Sequence, residues 1–542
     1  MNLNLRHLLS LALVALCGLM GWWTFRDVGK ISGRGKPASR GGEIPRPNKS
    51  SPLRLGSWIQ RDEFQDGTTV EIFASSEPSE VILRFPSEET YEDFLFSMAG
   101  SQKIHLLDQL DRLRAIRLGY DEWTDLSDLL AEENVIAYDS LPTVPAPAAV
   151  GGAYQKGLVG IGDGLLARVG VTSDPSNWGA GVKIAVLDTG ITPHPALPGF
   201  SRSIEITPFP KDLSKTRGHG TAVASLIASN DPAAPGLAPA AELISIRVAD
   251  ESGKADSFAL AAGILAAVDA GVQLINISMG TTEDNPLIKE AVLYADAQHV
   301  LIVAASGNSS QAEATYPAAY PCVISVGAVD ARGEHLEFSN YGSFLSMTAP
   351  GYAIHTAWPG NRYATISGTS ASAPVVTGAI AATMSSGSGI TMSARQAAET
   401  VMKYSNEAGI PGPDSEFGFG ILDMGRVMNR NTPGIVDAAI THQQIVKSGD
   451  PAGSDEIQVT VQNRGTAPLI NTLVQITTPF GNRQFNATMI TPGAIQTFSM
   501  PVRLSGQPKN EPVSISSNLT LSAIGRDTTP ENNFRSERLY RR

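Results

Sequence analysis

Residues 243–280 read LISIRVADESGKADSFALAAGILAAVDAGVQLINISMG, and this stretch decides the fold class. Two β-branched runs, LISIRVAD and LINISMG, flank a helical pattern. Asp256 suits the N-cap, Phe258, Ala262, Leu265 and Val268 recur at helical spacing, and Gly271 suits the stop. A strand, a crossover helix and a second strand make a parallel pair. The same alternation extends outward from about 180 to 405. KIAVLD (183–188) leads to HGTAVASLIAS (219–229), a helical pattern covers 285–298, VLIVAASGN (300–308) and CVISVGAVD (322–330) follow, and a helix starts at Ser370. This implies an α/β, doubly wound parallel sheet, in which reacting groups collect at the carboxyl ends of the strands.

Length and composition bound the rest. At 542 residues the chain exceeds one core, so several domains of ~100–200 residues are expected. The 42% apolar fraction is globular, while a net charge of −12 excludes the basic face that nucleic acid needs. The two cysteines, Cys17 and Cys322, give no disulfide framework. Cys322, which opens an apolar run without a partner histidine or charge, reads as a small core residue.

Arg6 and His7 precede an apolar run over 8–25, so 1–26 reads as a signal peptide or membrane anchor and the protein as exported. It is expected in the extracellular space, the periplasm or at the membrane. Gly, Pro, Ser and basic residues make 27–51 a flexible linker. Residues 52–146 run as strand (80–85), helix (88–98), strands within 103–120, helix (122–133) and strand (135–139). That order predicts an α+β, ferredoxin-like sandwich with both helices on one face of an antiparallel sheet. Beyond Pro433 the helical signal ends and alternation takes over in EIQVTVQN (456–463), TLVQITT (472–478) and NLTLSAI (518–524), so 434–542 reads as an all-β sandwich.

The candidate chemistry centres on GTSASAP (368–374), where Ser370 lies at the first turn of a buried helix. A neutral serine is a poor nucleophile without a base, and a histidine base needs an acid to hold its tautomer. Asp188 ends KIAVLD, and His219 sits between glycines in RGHGTAVAS. Asn308, in AASGN, offers an amide to an oxyanion alongside the Ser370 N–H. Read singly, each is an ordinary turn, cap or solvated residue. Together they run Asp, His, Ser along one sheet.

The segments AVLDTGI, GHGTAVAS, SGN and GTSASAP, in this order, resemble the subtilase (subtilisin-like) serine peptidases. GLAPAAEL (236–243), YPAAYPCVISVGAV (316–329), MTAPG (347–351) and FGFGILDMGRVM (417–428) extend the match over nearly all of 151–430. The resemblance implies Asp188, His219 and Ser370 as the triad and Asn308 as the oxyanion donor. It implies that Ser278, Met279 and Gly280, with Ala305, Ser306 and Gly307, line the specificity pocket, and that Thr315 lies near its base and favours medium apolar side chains. It makes 52–146 an inhibitory propeptide with SLPTVPAPAAV (140–150) as a tail in the cleft, self-cleaved between about 140 and 156. Protein or peptide substrates and the chain's own propeptide are then the partners. The segment 434–542 resembles CARDB-type adhesion modules and offers a surface for a protein partner.

Two departures stand out. HPAL carries Ala196 where the family usually has an acid able to ligate calcium, so no metal is assigned and that site is expected to be lost. Ala371 follows the nucleophile where many members have methionine, which predicts activity less sensitive to peroxide. His194, His299, His335 and His355 lack metal-ligand spacing, and GLVGIGDG (157–164) precedes the first sheet strand, unlike a nucleotide loop. The alternative to a secreted zymogen is a non-catalytic adhesion protein that binds through 434–542.

Overall fold

The computed structural model describes residues 69–74, 79–130, 134–138, 144–145, 157–207, 218–250, 253–313, 315–386, 389–447, 455–504, 511–521 and 526–540. The signal or anchor, the linker and most of the tail at 140–150 lie outside the described residues.

The first layer comprises β1 (Thr69–Ala74), β2 (Glu80–Arg84), α1 (Glu88–Met98), β3 (Ile104–Leu110), β4 (Ala115–Tyr120), α2 (Trp123–Leu129) and β5 (Asn134–Tyr138). Ser87 caps α1 through a capping box with Thr90. The expected helices and strands are present, but the sheet has five strands, in the order β3-β4-β2-β1-β5, with β1 inserted between β2 and β5. It is also not wholly antiparallel, because β1 and β5 pair in parallel. Alternation divides β2. Leu83 joins Phe85, Tyr91, Phe94, Ile116 and Leu118 in a core of its own, while Ile82 turns the other way and joins a core of the parallel sheet described next.

The two-residue strand β6 (Val144–Pro145) leads, after 157, to α3 (Leu165–Arg168), β7 (Lys183–Asp188), β8 (Phe200–Glu205), α4 (His219–Ala228), β9 (Glu242–Arg247), α5 (Ser257–Asp269), β10 (Leu274–Ile277), β11 (Met279–Gly280) and α6 (Pro286–Ala297). There follow β12 (Leu301–Ala305), β13 (Ile324–Val329), β14 (Met347–Pro350), the hairpin β15 (Ile354–Trp358) and β16 (Arg362–Ile366), α7 (Thr369–Met384), α8 (Ala394–Lys403) and α9 (Met424–Met428). Seven strands form one parallel sheet in the order β14-β13-β12-β10-β7-β9-β8. Both faces are covered, by α4, α7 and α8 on one side and by α5 and α6 on the other. Asp256 caps α5 as its spacing implies, accepting from the Ala259 N–H at 2.7 Å. Asn285 does the same for α6. Every residue of α7 is buried, as expected of a helix that is apolar all round. Cys322 is half-buried, not enclosed, and burial pushes its thiol pKa up.

Ile82, Leu113 and Ala115 of the first layer share a core with Phe258, Leu265, Ile288 and Val292 of α5 and α6. Around this contact Arg84 pairs with Glu290 and Arg117 with Asp256. Arg112 pairs with Asp269 at 2.7 Å, both half-exposed. An exposed pair of that kind contributes under ~1 kcal/mol. A fully buried Ile contributes ~1.5–3 kcal/mol, so apolar burial dominates the junction.

The C-terminal strands are β17 (Ala438–Lys447), β18 (Asp455–Asn463), β19 (Leu469–Thr478), β20 (Gly481–Ile490), β21 (Ile495–Val502), β22 (Val513–Thr520) and β23 (Phe534–Leu539). They form antiparallel sheets β17-β18-β21 and β20-β19-β22-β23. Inward residues of both sheets, among them Ile457, Val459, Val474, Ile476 and Ile515, make one core, which is the sandwich that alternation predicts. The seam with the parallel-sheet domain is polar. Arg426 of α9 is buried and donates to the Arg464 carbonyl at 3.1 Å and to the Ser405 carbonyl. The Glu407 N–H donates to Gln462 Oε1 at 3.0 Å. Burial pushes the Glu407 carboxyl up to about 7 and the Arg426 guanidinium down to about 10.

Candidate active site

Strand β7 lies between β9 and β10. The connections run first to β8 and β9 on one side and then cross to β10 on the other, which makes the carboxyl end of β7 a topological switch point, where ligands bind in such sheets. Asp188 closes that end and is fully buried. Its Oδ1 accepts the Thr189 N–H at 2.7 Å, and both carboxyl oxygens lie 2.9 Å from Nδ1 of His219. His219 is the first residue of α4. The Gly220 N–H, bonded to Thr189 Oγ1 at 3.1 Å, fixes that helix start to the strand end. A Cβ on Gly218 would lie 2.5 Å from the Trp358 indole, so the hairpin tip of β15 presses on the cap and only glycine fits. A carboxylate at Nδ1 selects the Nδ1–H tautomer and leaves Nε2 with a lone pair. Nε2 is buried and has no hydrogen-bond partner in this structure.

Ser370 is the second residue of α7, which packs against α4. The cap, Gly368, has φ 143°, a conformation that L side chains rarely adopt. Pro374 lies four residues after Ser370, where its missing N–H leaves the Ser370 carbonyl without its intrahelical partner. Ser278 Oγ fills the vacancy, donating to that carbonyl at 3.1 Å. Ser278 in turn accepts from Asn276 Nδ2 at 2.9 Å, and Asn276 Oδ1 accepts from Thr377 Oγ1 at 2.9 Å. All four residues are buried. Asn308, in the loop after β12, accepts at Oδ1 from the N–H and the hydroxyl of Thr369, both at 2.9 Å. The backbone donor settles the amide orientation, so Nδ2 is the end left to donate elsewhere.

The residues expected around the pocket are brought together. Met279 and Gly280 form β11, which pairs antiparallel with Val144 and Pro145. Its continuation, Thr281, exchanges backbone hydrogen bonds with Tyr316. Ala305 ends β12. Ser306 Oγ donates to the Asn340 carbonyl at 3.3 Å, and the Gly307 N–H donates to Thr369 Oγ1 at 3.2 Å. Thr315 lies between the two segments, because a Cβ on Gly280 would meet its Cγ2 at 2.5 Å and one on Gly307 its Oγ1 at 2.7 Å.

Thr369, Asn276, Thr377 and Asn340 escaped the sequence reading. Thr369 lies inside GTSASAP and was within reach of it; the others act through partners distant in the chain. His194 is structural, with Nδ1 accepting the Ala196 N–H at 3.1 Å and Nε2 3.2 Å from the Arg362 carbonyl. Ala196 is buried, and among the described residues no group of three or more His, Cys, Asp or Glu side chains is placed to hold a metal ion.

The chain matches the peptidase S8 model, described as the subtilase family, over residues 179–420. It is 39% identical over 205 residues to subtilisin Savinase of Lederbergia lenta, covering 38% of this chain and 76% of that protein. Identity is also 39% over 205 residues to an alkaline protease of Shouchella clausii, covering 38% of this chain and 54% of the relative. Thermitase of Thermoactinomyces vulgaris is 36% identical over 213 residues, with 38% and 76% covered.

Proposed function

The chain belongs to the subtilase family and is a subtilisin-like serine endopeptidase acting on peptide or protein substrates, and from that premise we propose that it is an exported zymogen whose chemistry runs through Ser370. The Ser370 hydroxyl attacks the scissile carbonyl while His219 Nε2 takes its proton. Asp188 orients His219 and stabilises its charged form. Asn308 Nδ2 and the Ser370 N–H donate to the oxyanion. His219 returns the proton to the leaving amine, and water then releases the acyl group by the same steps. The observation that carries this reading is the buried Asp188–His219 pair, 2.9 Å apart, with Nε2 uncommitted at the crevice. Fluorophosphonate labelling of the matured protein, absent in Ser370→Ala, is the test. Failure of matured wild-type protein to label would instead favour the adhesion reading.

The zymogen reading is supported by β6. An antiparallel partner on β11 occupies the edge that an extended substrate would take, beside the Ser278 hydroxyl that holds the nucleophile's carbonyl. Residues 52–146 then act as the inhibitory propeptide, cut between about 140 and 156. Intact mass should show a shortened wild-type chain and a full-length Ser370→Ala chain; identical N-termini overturn self-cleavage. Export rests on the apolar run at 8–25. No helix among the described residues is long and apolar enough to cross a membrane. Neither catalysis nor folding is assigned a metal, Ala196 standing in the family's calcium position. The sandwich at 434–542 is assigned to a protein or surface partner.

A further inference from the structure

Asn340 lies outside every step above, yet it ties together two parts of the site. It is 1% exposed. Its Oδ1 accepts from the backbone N–H of Ser309 at 2.9 Å, from that of Gln311 at 3.2 Å and from the Ser309 hydroxyl at 2.9 Å. Its Nδ2 donates to Thr315 Oγ1 at 3.0 Å, and its backbone N–H donates to the Gly307 carbonyl at 3.0 Å. Two backbone donors at one oxygen leave the amide a single orientation, so the Thr315 oxygen must be the group that accepts from Nδ2. A Cβ on Gly307, φ 106°, would lie 2.5 Å from Nδ2. Asn308 therefore stands between two residues, Gly307 and Ser309, both held by Asn340, while its own side chain is held from the other side by Thr369. Through Thr315 the same amide reaches the pocket wall at Gly280.

The geometry points to Asn340 as a positioning residue that sets, with one side chain, both the aim of the Asn308 amide at the oxyanion and the depth of the specificity pocket at Thr315. It touches no substrate. The inference rests on the roles proposed above for Asn308 and Thr315. It makes turnover and side-chain selectivity co-vary: without Asn340 the loop at 306–311 loses its buried acceptor, and Thr315 loses the donor that fixes its hydroxyl and so its rotamer. A displacement of ~1 Å at a group of this kind costs on the order of 10²-fold in rate.

The test compares wild type, Asn340→Ala, Asn340→Asp and Thr315→Val on tetrapeptide p-nitroanilides that differ only at the residue before the cleaved bond, Ala, Leu or Phe. Active sites are titrated with a fluorophosphonate. Asn340→Ala should lose about 10–100-fold in kcat with a much smaller change in KM. Its Phe-to-Ala ratio of kcat/KM should also move by several-fold. Asn340→Asp keeps the oxygen acceptor and should lose distinctly less. An Asn340→Ala protein with the kcat and the ratio of wild type, or an Asp variant as impaired as the Ala variant, overturns the inference. Should Asn340→Ala not fold, Thr315→Val tests the pocket half, since it keeps the volume and removes the hydroxyl; a ratio within about twofold of wild type is the negative result. Wild-type protein that cleaves none of the substrates refutes the catalytic reading itself, whereas active wild type with an indifferent Asn340→Ala refutes only this one.

Discussion

The start of α7 and the seam between α9 and β18 both bury polar groups, and they resolve that burial in opposite ways. Around α7 the buried side chains are tied by short, directed bonds, from Thr377 to Asn276, Ser278 and the Ser370 carbonyl, and from Thr369 to Asn308. The buried atom left over there is His219 Nε2, whose lone pair the proposed chemistry needs to accept the Ser370 proton. At the seam, burial instead pushes the Glu407 and Asp437 carboxyls up and the Arg426 guanidinium down. His335 Nε2 and Gln443 Nε2 beside a cavity of about 510 Å³ also stay unpaired. Displaced proton affinities therefore mark the seam, where no nucleophile sits. A site is recognised by which atom its neighbours leave uncommitted, and perturbed titration alone is an uncertain guide.

Substitutions at the two regions should separate turnover from stability. The largest effect belongs to Ser370→Ala, with kcat falling on the order of 10⁴–10⁶, a range that comes from triad removal in subtilisin itself. Residual activity within tenfold of wild type, per mole of variant processed in trans to the mature length, would break the assignment of the nucleophile. Asn308→Leu should lower kcat by about 10²–10³ with KM little altered, again a magnitude known from subtilisin. An effect confined to KM would move Asn308 from the oxyanion to ground-state binding.

At the seam the expected effects are on unfolding. Glu407 binds its proton more tightly in the folded chain, near pH 7, than in an unfolded one, near 4.5. Its contribution is therefore fully present below pH ~4.5 and is lost as pH rises through about 7, amounting to ~1–2 kcal/mol after allowance for partial solvent access. Glu407→Gln should flatten the change in Tm between pH 5 and pH 8 without altering kcat per titrated site. A Tm profile as steep as that of wild type would remove Glu407 from the account. The smallest response is expected on chelation, a Tm shift under ~1 °C. A fall of ~5 °C or more would restore a calcium site that Ala196 argues against.

Much of this could be read from the residues in order. Six strands of the large sheet are buried on both faces, only the edge strand β8 being exposed, and α5 and α6 are capped by Asp256 and Asn285, so local pattern and global fold agree. Asp188, His219, Ser370 and Asn308 fall at strand ends and helix starts, where sequence pattern is most informative. β1 was not legible, because insertion of a strand between two others is decided by its partners and TVEIFA does not record them. Asn340 was hidden for the same reason: its side-chain bonds reach 25 to 31 residues along the chain. The vacancy that Pro374 opens for Ser278 spans 92 residues. Even though GTSASAP displays the proline, the hydroxyl that answers it lies in LINISMG.

The pairing of Val144 and Pro145 with Met279 and Gly280 is intramolecular. While the backbone is continuous, the edge of β11 meets its occupant at an effective concentration on the order of millimolar, whatever the dilution of the protein. A foreign peptide has to outcompete that local supply. On the proposed cut between about 140 and 156, occupancy would become a bimolecular matter and fall as the released fragment disperses. Volume would then act as a signal, the same cut molecule being restrained at high concentration and released on dilution.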